Sequence, residues 1–557
     1  MHSRYDIIRR NTLKARTLIV KATAAAGSGH PGGSFSMAEI LGCLFYKHMR
    51  YDAANPCWEG RDRLVLSKGH AAPGLFSHLA ISGFIPESEV ETLRSLGSRL
   101  QGHPDMKCPG VEFCGGSLGT GLSYSVGMAL SARMDGLDSR IYTVIGDGES
   151  DEGQIWEATM AAAKFKLDNL TVILDRNYVQ QDSYTEGVMP LDAAATGPNP
   201  NPVAARNDPT LWRTSDKWRA FGWHVIEVDG HRIEQIDSAI RGAKQVSGRP
   251  SIIIARTVKG KGVRHMEDNP QWHGKAPSPE MVPIILDELK SQAAVAPSII
   301  AGDMTRLDLE VKRCDGAGPD YIHMDVMDGI FVPTVTFGYE KIRELRPLTD
   351  IPFDSHLMIS QPARHVKKYA EAGSDIITVH AEVCSVSEFG EIHDYLKGVD
   401  VGVGVAVNPQ TPIPPWLKEF VPTLDQFIVM SVVPGRSGQK YIYESHQKTR
   451  TIIQSLNEHG FGGVVEADGG VNILNVADCF DDGARVFVGG SSMVGQPDMK
   501  QAIDDIRGRI SYARQRMLLH RAHSLGGSKL VHDWIALHVV GEQSDTLNKI
   551  ARESNLL

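Results

Sequence analysis

Short apolar runs and amphipathic stretches alternate along residues 1–292. The candidate strands are Arg140–Ile145, Leu170–Asp175, Trp223–Val228 and Ser251–Arg256. Stretches with helical periodicity lie between them, including Glu152–Lys166 and Ile233–Val246. Strands that alternate with helices are typical of a doubly wound parallel α/β sheet, and we predict that fold for this first domain.

Eight further apolar runs follow in residues 293–507, and stretches long enough for helices separate most of them. The runs are Val295–Ile300, Tyr321–Val326, Pro352–Met358, Ile376–His380, Val401–Val407, Phe427–Val432, Gly463–Ala467 and Val486–Val488. Eight β-then-α units in roughly 200 residues predict a small (β/α)₈ TIM barrel. Residues 508–557 predict a short helical tail of unknown role, divided at Gly526-Gly527.

One irregular segment interrupts the first domain. Residues Ala193 to Pro209 are rich in proline and asparagine, and helical or strand periodicity is lost there. This composition predicts a surface loop, either a tolerated insertion or a lid.

Composition excludes several classes of protein. The net charge of −9 over 557 residues argues against a nucleic-acid-binding surface. The seven cysteines are scattered and have no zinc-site spacing. There is no apolar run of about 20 residues, so we expect no membrane span. The first residues are charged rather than signal-like, and we expect a cytoplasmic protein.

Polar residues end two neighbouring strands of the first domain. Gly146-Asp147-Gly148 follows one strand, and Asp175-Arg176-Asn177 ends the next. Carboxylate and amide oxygens are ligands that Mg²⁺ or Ca²⁺ prefers, and such an ion can bridge to phosphate oxygens. Gly146 and Gly148 allow the backbone to approach a diphosphate closely. We therefore predict a metal–diphosphate site at this edge of the sheet.

Four histidine motifs add a family resemblance. They are Gly27-Ser-Gly-His30-Pro-Gly-Gly33, Ser67-Lys-Gly-His70, Gln101-Gly-His103-Pro-Asp105 and Trp272-His273-Gly-Lys275. Together with the Gly-Asp-Gly…Asn spacing, they resemble the N-terminal half of transketolases over nearly all of residues 5–280. Any one histidine alone would be read as a structural hydrogen-bonding residue, whereas four in these contexts favour function.

The resemblance implies a cofactor and roles for these residues. Thiamine diphosphate would bind with Mg²⁺ (or Ca²⁺), and the metal ligands would be Asp147, Asn177 and the carbonyl of Val179. The resemblance also assigns cofactor contacts to His70, Gly146, Gly148 and His273. It assigns catalytic contacts with substrate hydroxyls to His30 and His103. The chain departs from the family in two places. It has an insert after Met189, and it has Tyr178 at a position where relatives often have glycine.

Transketolases continue into a pyrimidine-binding domain, which supplies the glutamate that activates the cofactor. This chain continues into the predicted barrel instead. The resemblance therefore implies the N-terminal subunit of a split transketolase, with a separate C-terminal subunit as its partner. We also expect a homo-oligomer.

The predicted barrel carries a second group of candidate ligands. His323 and Asp325 lie two apart on one strand, so both side chains point to the same face. His356 follows on the next strand, and Asp468 ends the seventh. Barrel active sites form at these strand ends. Two imidazoles and two carboxylates suit Zn²⁺, Fe²⁺, Mn²⁺ or Co²⁺ alike, and buried ion pairs are the structural alternative.

Gly469-Gly470 follows the seventh strand and Gly490-Ser491 follows the eighth, which is where phosphate usually binds in such barrels. A glycine-containing segment, Pro434–Gly438, follows the sixth strand and would close over the phosphate. These segments and the four ligands closely resemble ribulose-phosphate 3-epimerase from Ala296 to about Arg507. The resemblance implies that His323, Asp325, His356 and Asp468 hold one divalent metal, and that Asp325 and Asp468 are also the acid/base pair. The substrate-binding residues that it implies are Ser298, Met327, Met358, Met430, Gly435, Gly438, Gly469, Gly470, Gly490 and Ser491. Core packing is an equally good explanation of the three methionines.

One loop departs from this second family. The chain has Val433-Pro-Gly-Arg-Ser-Gly438 where relatives tend to have Asn-Pro-Gly-Phe-Gly-Gly. Arg436 would add a phosphate contact or would face solvent.

Together the two resemblances imply a bifunctional enzyme of the pentose phosphate pathway. The barrel would convert ribulose 5-phosphate to xylulose 5-phosphate, and the first domain would transfer a ketol group together with its partner chain. The alternative is an active epimerase whose first domain is only a cofactor-binding interaction module. A third possibility is that the first domain catalyses a thiamine-dependent reaction with a different ketol donor. Aldolase-like or decarboxylase-like barrels would lack the four-ligand set.

Overall fold

The computed structural model describes residues 5–181, 183–192, 206, 213–538 and 543–557. Most of the predicted Ala193–Pro209 loop lies outside these residues. Contacts divide the chain into two compact units. One consists of Ile8–Lys290 and His532–Asp545, and the other of Ser291–Val531 with the two chain ends Met1–Ile7 and Thr546–Leu557.

The first unit contains a five-stranded parallel sheet. The strands of this unit are β1 Arg63–Leu66, β2 Ile141–Gly146, β3 Leu170–Arg176, β4 Val179–Gln180, β5 Ser183–Tyr184, β6 His224–Asp229 and β7 Ser251–Arg256. The order in the sheet is β1-β2-β3-β7-β6, and β4 and β5 form a separate short hairpin. The four predicted strands are confirmed to within about one residue. The four-residue strand β1 was not predicted, because its apolar run is short and follows charged residues.

Helices flank this sheet, as expected for a doubly wound fold. They are Asp6–Ala26, Pro31–Ser36, Ala38–Cys43, Ala72–Ile81, Thr120–Met134, Gly153–Lys164, Thr185–Val188, Thr214–Ala220, Ile233–Gln245 and Val282–Lys290. Strands β2, β3 and β7 are buried along their whole length. Their largely apolar sequences are expected for strands that are buried on both faces.

The second unit contains an eight-stranded parallel sheet that closes into a barrel. The strands are β8 Ala294–Pro297, β9 Ile322–Met327, β10 Phe353–Met358, β11 Ile376–His380, β12 Gly402–Val407, β13 Gln426–Met430, β14 Val464–Asp468 and β15 Val486–Gly489. Their order is β8-β15-β14-β13-β12-β11-β10-β9. A parallel bridge between Ser298 and His323 joins the two ends. The predicted fold class is confirmed.

The helices of this unit pack around the barrel. They are Leu307–Ala317, Tyr339–Leu345, Val366–Ala372, Val386–Gly398, Ser445–Glu458 and Val476–Asp481. One large buried apolar cluster includes Val326 and Val405 from the strands and Ile392 and Leu456 from the helices. Burial of these outward-facing strand residues stabilises the barrel and leaves its mouth to polar side chains.

The last two helices are Met499–Ala536 and Gln543–Glu553. The first of them includes Ile503, Ile506 and Ile510, which pack into the barrel core, and its path is interrupted at Gly526 and Gly527. The helical tail and its division are therefore as predicted. The predicted domain boundary at residue 507 falls inside this helix. Within the described residues, no helix is long and apolar enough to cross a membrane.

Within the first unit, residues 532–538 pack through aromatic rings on His265. Trp534 and His538 are almost fully buried. Their ring centroids lie 5.1 and 5.3 Å from the ring centroid of His265. The ring centroid of Trp272 lies 4.7 Å from that of His265. Neither ring nitrogen of His265 has a hydrogen-bond partner among the described residues. Burial, followed by the charges of His538 and Lys275, lowers the pKa of His265 well below its usual value.

This buried histidine predicts a pH-dependent stability. His265 is neutral in the folded state, but in the unfolded state its pKa is about 6.5. The stability that the neutral ring contributes is therefore present above pH 6.5, and it is lost as the pH falls below 6.5. At pH 5 the loss is about 2 kcal/mol. We expect His265→Phe to lose less unfolding free energy than the wild type between pH 7.5 and pH 5, as measured by urea denaturation. The exposed His523→Gln is the control and should follow the wild type; equal losses in all three proteins would contradict the prediction.

Candidate active sites

Four side chains converge at the mouth of the barrel. They are His323 and Asp325 on β9, His356 on β10 and Asp468 on β14, and all four are buried. His323 Nε2 lies 3.3 Å from Asp325 Oδ1 and 3.7 Å from Asp468 Oδ2. His356 Nδ1 lies 3.5 and 3.3 Å from the same two oxygens. One ligand atom from each residue lies within 4.8 Å of the others, as the alternation of strand side chains predicts.

The donor chemistry of this group fits a divalent metal ion. His323 Nε2 and His356 Nδ1 are buried and have no hydrogen-bond partner among the described residues, whereas buried polar atoms normally have one. The other nitrogen of each ring lies within hydrogen-bonding distance of a neighbouring side chain. His323 Nδ1 lies 2.9 Å from Asp354 Oδ2, and His356 Nε2 lies 2.9 Å from His380 Nε2. Such outer partners orient metal-binding imidazoles.

The electrostatics of the group also favour a cation. Burial opposes ionisation of Asp325, but His323 holds the pKa of Asp325 well below its usual value. Burial likewise opposes a charge on His323, yet Asp325 and Asp354 raise the pKa of His323 well above its usual value. The field that attracts a proton to His323 would also attract a divalent ion.

A second layer of polar groups lies beneath the ligands. Gln426 Nε2 donates to Asp354 Oδ1 at 2.9 Å, and Glu466 Oε1 lies 3.4 Å from His323 Nδ1. Burial and the charge of Asp354 raise the pKa of Glu466 well above its usual value. Sequence reasoning assigned no role to this layer. A usable signal was present, since Asp354 and Glu466 each precede a predicted ligand by two residues and share its face.

A pocket opens above the four ligands. It is lined by every residue predicted to bind substrate in the barrel: Ser298, Met327, Met358, Met430, Gly435, Gly438, Gly469, Gly470, Gly490 and Ser491. Met327 and Met358 also pack together in a small buried cluster, so these methionines both face the pocket and fill space. At Gly469 φ is +111°, and a Cβ would lie 2.5 Å from Val432. Only glycine fits there.

Three histidines of the first unit form a triangle. The ring centroids of His30, His70 and His273 lie 5.2 Å from one another. Burial and then Arg94 lower the pKa of His30 to about 4, and burial and then Lys259 lower the pKa of His273 to about 2. All three rings are therefore neutral near pH 7. His103 is adjacent, because a Cβ on Gly69 would lie 3.3 Å from its Cδ2.

Two buried lysines lie beside this triangle, and one of them, Lys68, forms an ion pair with the buried Asp175. Lys68 Nζ donates to the Gly33 carbonyl at 3.0 Å, and Lys259 Nζ donates to the Val179 carbonyl at 3.1 Å and contacts His273 Nδ1. Burial and the charge of Lys68 lower the pKa of Lys259 to about 7. Such groups suit a diphosphate anion. Sequence reasoning missed both lysines; Lys68 lies inside a quoted motif, but nothing local marks Lys259.

The three predicted metal ligands of the first unit lie on two adjoining segments. Asp147 Oδ1 accepts from Gly148 N at 2.8 Å, and Asp147 Oδ2 accepts from Tyr178 N. Asn177 Oδ1 accepts from Val179 N at 3.1 Å. These oxygen donors fit Mg²⁺ or Ca²⁺. The guanidinium of the buried Arg176 also lies 3.1 Å from Asp147 Oδ2, a contact that sequence reasoning did not anticipate.

The backbone at position 178 has a conformation that favours glycine. Tyr178 has a φ of +66°, which is the left-handed region. Its ring lies under Arg176, with 3.9 Å between the guanidinium carbon and the ring centroid, and Arg256 Nη1 donates to its hydroxyl. These side-chain contacts compensate for the unfavourable backbone conformation.

Comparisons with known proteins identify the family of each part of the chain. Residues 8–196 and 207–290 match the family model of the transketolase thiamine diphosphate binding domain. The 6-deoxy-6-sulfo-D-fructose transketolase subunit of Clostridium sp. (strain MSTE9) is 42% identical over 280 residues, which are 50% of this chain and 94% of that protein. The chain belongs to the transketolase family. Residues 294–494 match the ribulose-phosphate 3 epimerase family model, so an epimerase-family domain is fused to the transketolase part.

Two further relatives show how much of a transketolase is present. An apulose-4-phosphate transketolase subunit of Phocaeicola vulgatus is 39% identical over 267 residues, which are 48% of this chain and 88% of that protein. Human transketolase is 40% identical over 289 residues, which are 52% of this chain but only 43% of the human protein. The match thus spans most of the bacterial protein and less than half of the human enzyme. Both resemblances read from the motifs are confirmed.

Proposed function

We propose that this chain is a bifunctional sugar-phosphate enzyme. Its barrel would epimerise ribulose 5-phosphate to xylulose 5-phosphate at C3 with one divalent metal. Its first unit would transfer ketol groups together with a separate pyrimidine-domain chain. The observation that carries the proposal is the convergence of two imidazoles and two carboxylates beneath a pocket with three glycine-rich loops.

In this proposal the barrel inverts C3 by two proton transfers. One carboxylate of the Asp325–Asp468 pair removes the C3 proton, and the other returns a proton to the opposite face. Ser298 Oγ donates to Asp325 Oδ2 at 2.5 Å and would orient that carboxylate. A divalent ion held by His323, Asp325, His356 and Asp468 would stabilise the negative charge that develops on the substrate oxygens. The glycine-rich loops would bind the phosphate through backbone N–H groups.

The proposal for the first unit rests on its cluster of buried lysines and histidines and on relatives named as transketolase subunits. Lys68, Lys259, His70 and His273 would hold the diphosphate, and Asp147, Asn177 and the Val179 carbonyl would hold Mg²⁺ or Ca²⁺. Thiamine diphosphate supplies the carbanion chemistry when bound. His30 and His103, neutral at pH 7, would exchange protons with substrate hydroxyls.

Metal removal tests the epimerase proposal. We expect the purified chain to interconvert ribulose 5-phosphate and xylulose 5-phosphate, and to lose at least about 100-fold in rate after dialysis against a chelator. Adding back Zn²⁺, Fe²⁺, Mn²⁺ or Co²⁺ should restore the rate, and circular dichroism should show an unchanged fold. An undiminished rate in protein shown to be metal-free would exclude the metal-dependent mechanism. Aldol cleavage or CO₂ release in place of epimerisation would assign the barrel another reaction.

A further inference from the structure

Charge is distributed unevenly along the wall of the barrel pocket. Asp325 and Asp468 lie at its base. Arg436 is the one basic side chain among the described residues that line the pocket, and it belongs to the loop after β13. A guanidinium presents a planar set of donors that matches a phosphate group, and it is always charged at neutral pH.

The loop that carries Arg436 is held by its own hydrogen bonds. Gln439 Nε2 donates to the carbonyls of Val433 at 2.6 Å and Arg436 at 3.1 Å. Thr334 Oγ1 donates to the Gly435 carbonyl from another loop. Arg436 itself is exposed, and its side chain forms no ion pair within the described part of the chain. The backbone is thus positioned while the guanidinium is left available to a ligand.

The same loop lies close to the loop after β15. A Cβ on Gly490 would lie 3.2 Å from Ser437 Oγ. The basic residue therefore adjoins the backbone of Gly490 and Ser491, which the epimerase proposal assigns to phosphate. An anionic group bound there would meet N–H donors on one side and a guanidinium on the other.

We propose that Arg436 is a specificity-determining residue that selects a doubly charged phosphate ester over an uncharged sugar. This inference rests on the proposed epimerase function and deepens it. Arg436 acts on binding of the substrate's charged end, at a distance from the acid/base pair. Its removal should therefore raise KM for a phosphorylated substrate and leave kcat and the reaction of the unphosphorylated sugar unchanged.

Kinetics of three variants test this inference. For Arg436→Gln we expect KM for ribulose 5-phosphate to rise about 10- to 100-fold, since a charged hydrogen bond is lost, with kcat within about twofold. Arg436→Lys should lose less, because it keeps the charge but not the planar donors. Lys440→Gln is the matched control, an exposed cation outside the pocket lining. The kcat/KM for unphosphorylated ribulose should be equal in all four proteins.

Binding of inorganic phosphate separates this inference from the proposed function. Titration followed by ³¹P NMR should show weaker binding by Arg436→Gln than by Lys440→Gln or the wild type, whether or not the protein epimerises ribulose 5-phosphate. If Arg436→Gln binds phosphate as the wild type does, or if both sugars lose rate equally, the assignment of Arg436 is overturned. Phosphate binding that depends on Arg436 in a protein without epimerase activity would retain the anion site and reject only the reaction.

Discussion

Replacement of Asp468 by asparagine is expected to lower kcat for C3 epimerisation by about 1,000-fold. Asparagine is nearly isosteric and keeps one oxygen for the metal, but it cannot accept and return a proton at pH 7. Asp325→Asn should have an effect of the same order. The measurement is the rate of interconversion of ribulose 5-phosphate and xylulose 5-phosphate, with metal content determined for each variant.

Solvent isotope exchange makes this prediction sharper. Each variant retains one acid/base carboxylate, so each should exchange the C3 proton of one epimer with deuterium from D₂O. Because the two carboxylates serve opposite faces, Asp468→Asn and Asp325→Asn should exchange opposite epimers. Asp394→Asn is a matched control, since Asp394 is 85% exposed and remote in sequence from every ligand. Exchange of the same epimer by both variants would exclude the two-base mechanism.

The second large effect is expected from adding a partner chain. The purified chain alone should show no ketol transfer from xylulose 5-phosphate to ribose 5-phosphate above background. With a pyrimidine-domain chain we expect a rate at least about 1,000-fold higher, because transketolases draw on that domain for the glutamate that activates the cofactor. A coupled assay of the product sugars measures this rate.

A substitution in the first unit localises that activity. Asp147→Ala removes a proposed metal ligand, so the partner should not stimulate this variant, while epimerisation by the barrel should be unchanged. Ketol transfer by the chain alone, at a rate near that with the partner, would contradict the split arrangement. Cofactor binding without transfer in the presence of every partner tested would favour the interaction-module alternative. If the chain and its partner transfer a ketol group from another sugar but not from xylulose 5-phosphate, the donor substrate would have to be reassigned.

Much of the barrel site was predictable because strand side chains alternate. His323 and Asp325 must share a face wherever the strand lies, and residues at the carboxyl ends of parallel strands meet at one mouth. Motif spacing therefore predicted the four candidate ligands, and the resemblance to the epimerase family supplied the pocket residues; the structure brings both sets together. The same reasoning extends to Asp354 and Glu466, which share the face of their neighbouring ligands. Their contact with His323 required knowledge of the strand order.

The first unit shows where such reasoning ends. Its histidines were recognisable from motifs, but Lys259 has no local signal and reaches the site because β7 ends beside β3. The packing of Trp534 and His538 on His265 joins two segments that lie far apart in the sequence. No periodicity in either segment indicates that contact.

By itself, then, the sequence determined the order and type of most strands and helices, the two families and the candidate ligands at strand ends. These follow from local periodicity and short spacings, which neighbouring residues set. Only the tertiary structure decided that burial beside Asp354 raises the pKa of Glu466, that two buried lysines flank the histidine triangle and that Arg436 faces the barrel pocket. Those properties depend on burial and on distances between segments far apart in the chain, and they exist only once the sheets have formed and excluded water.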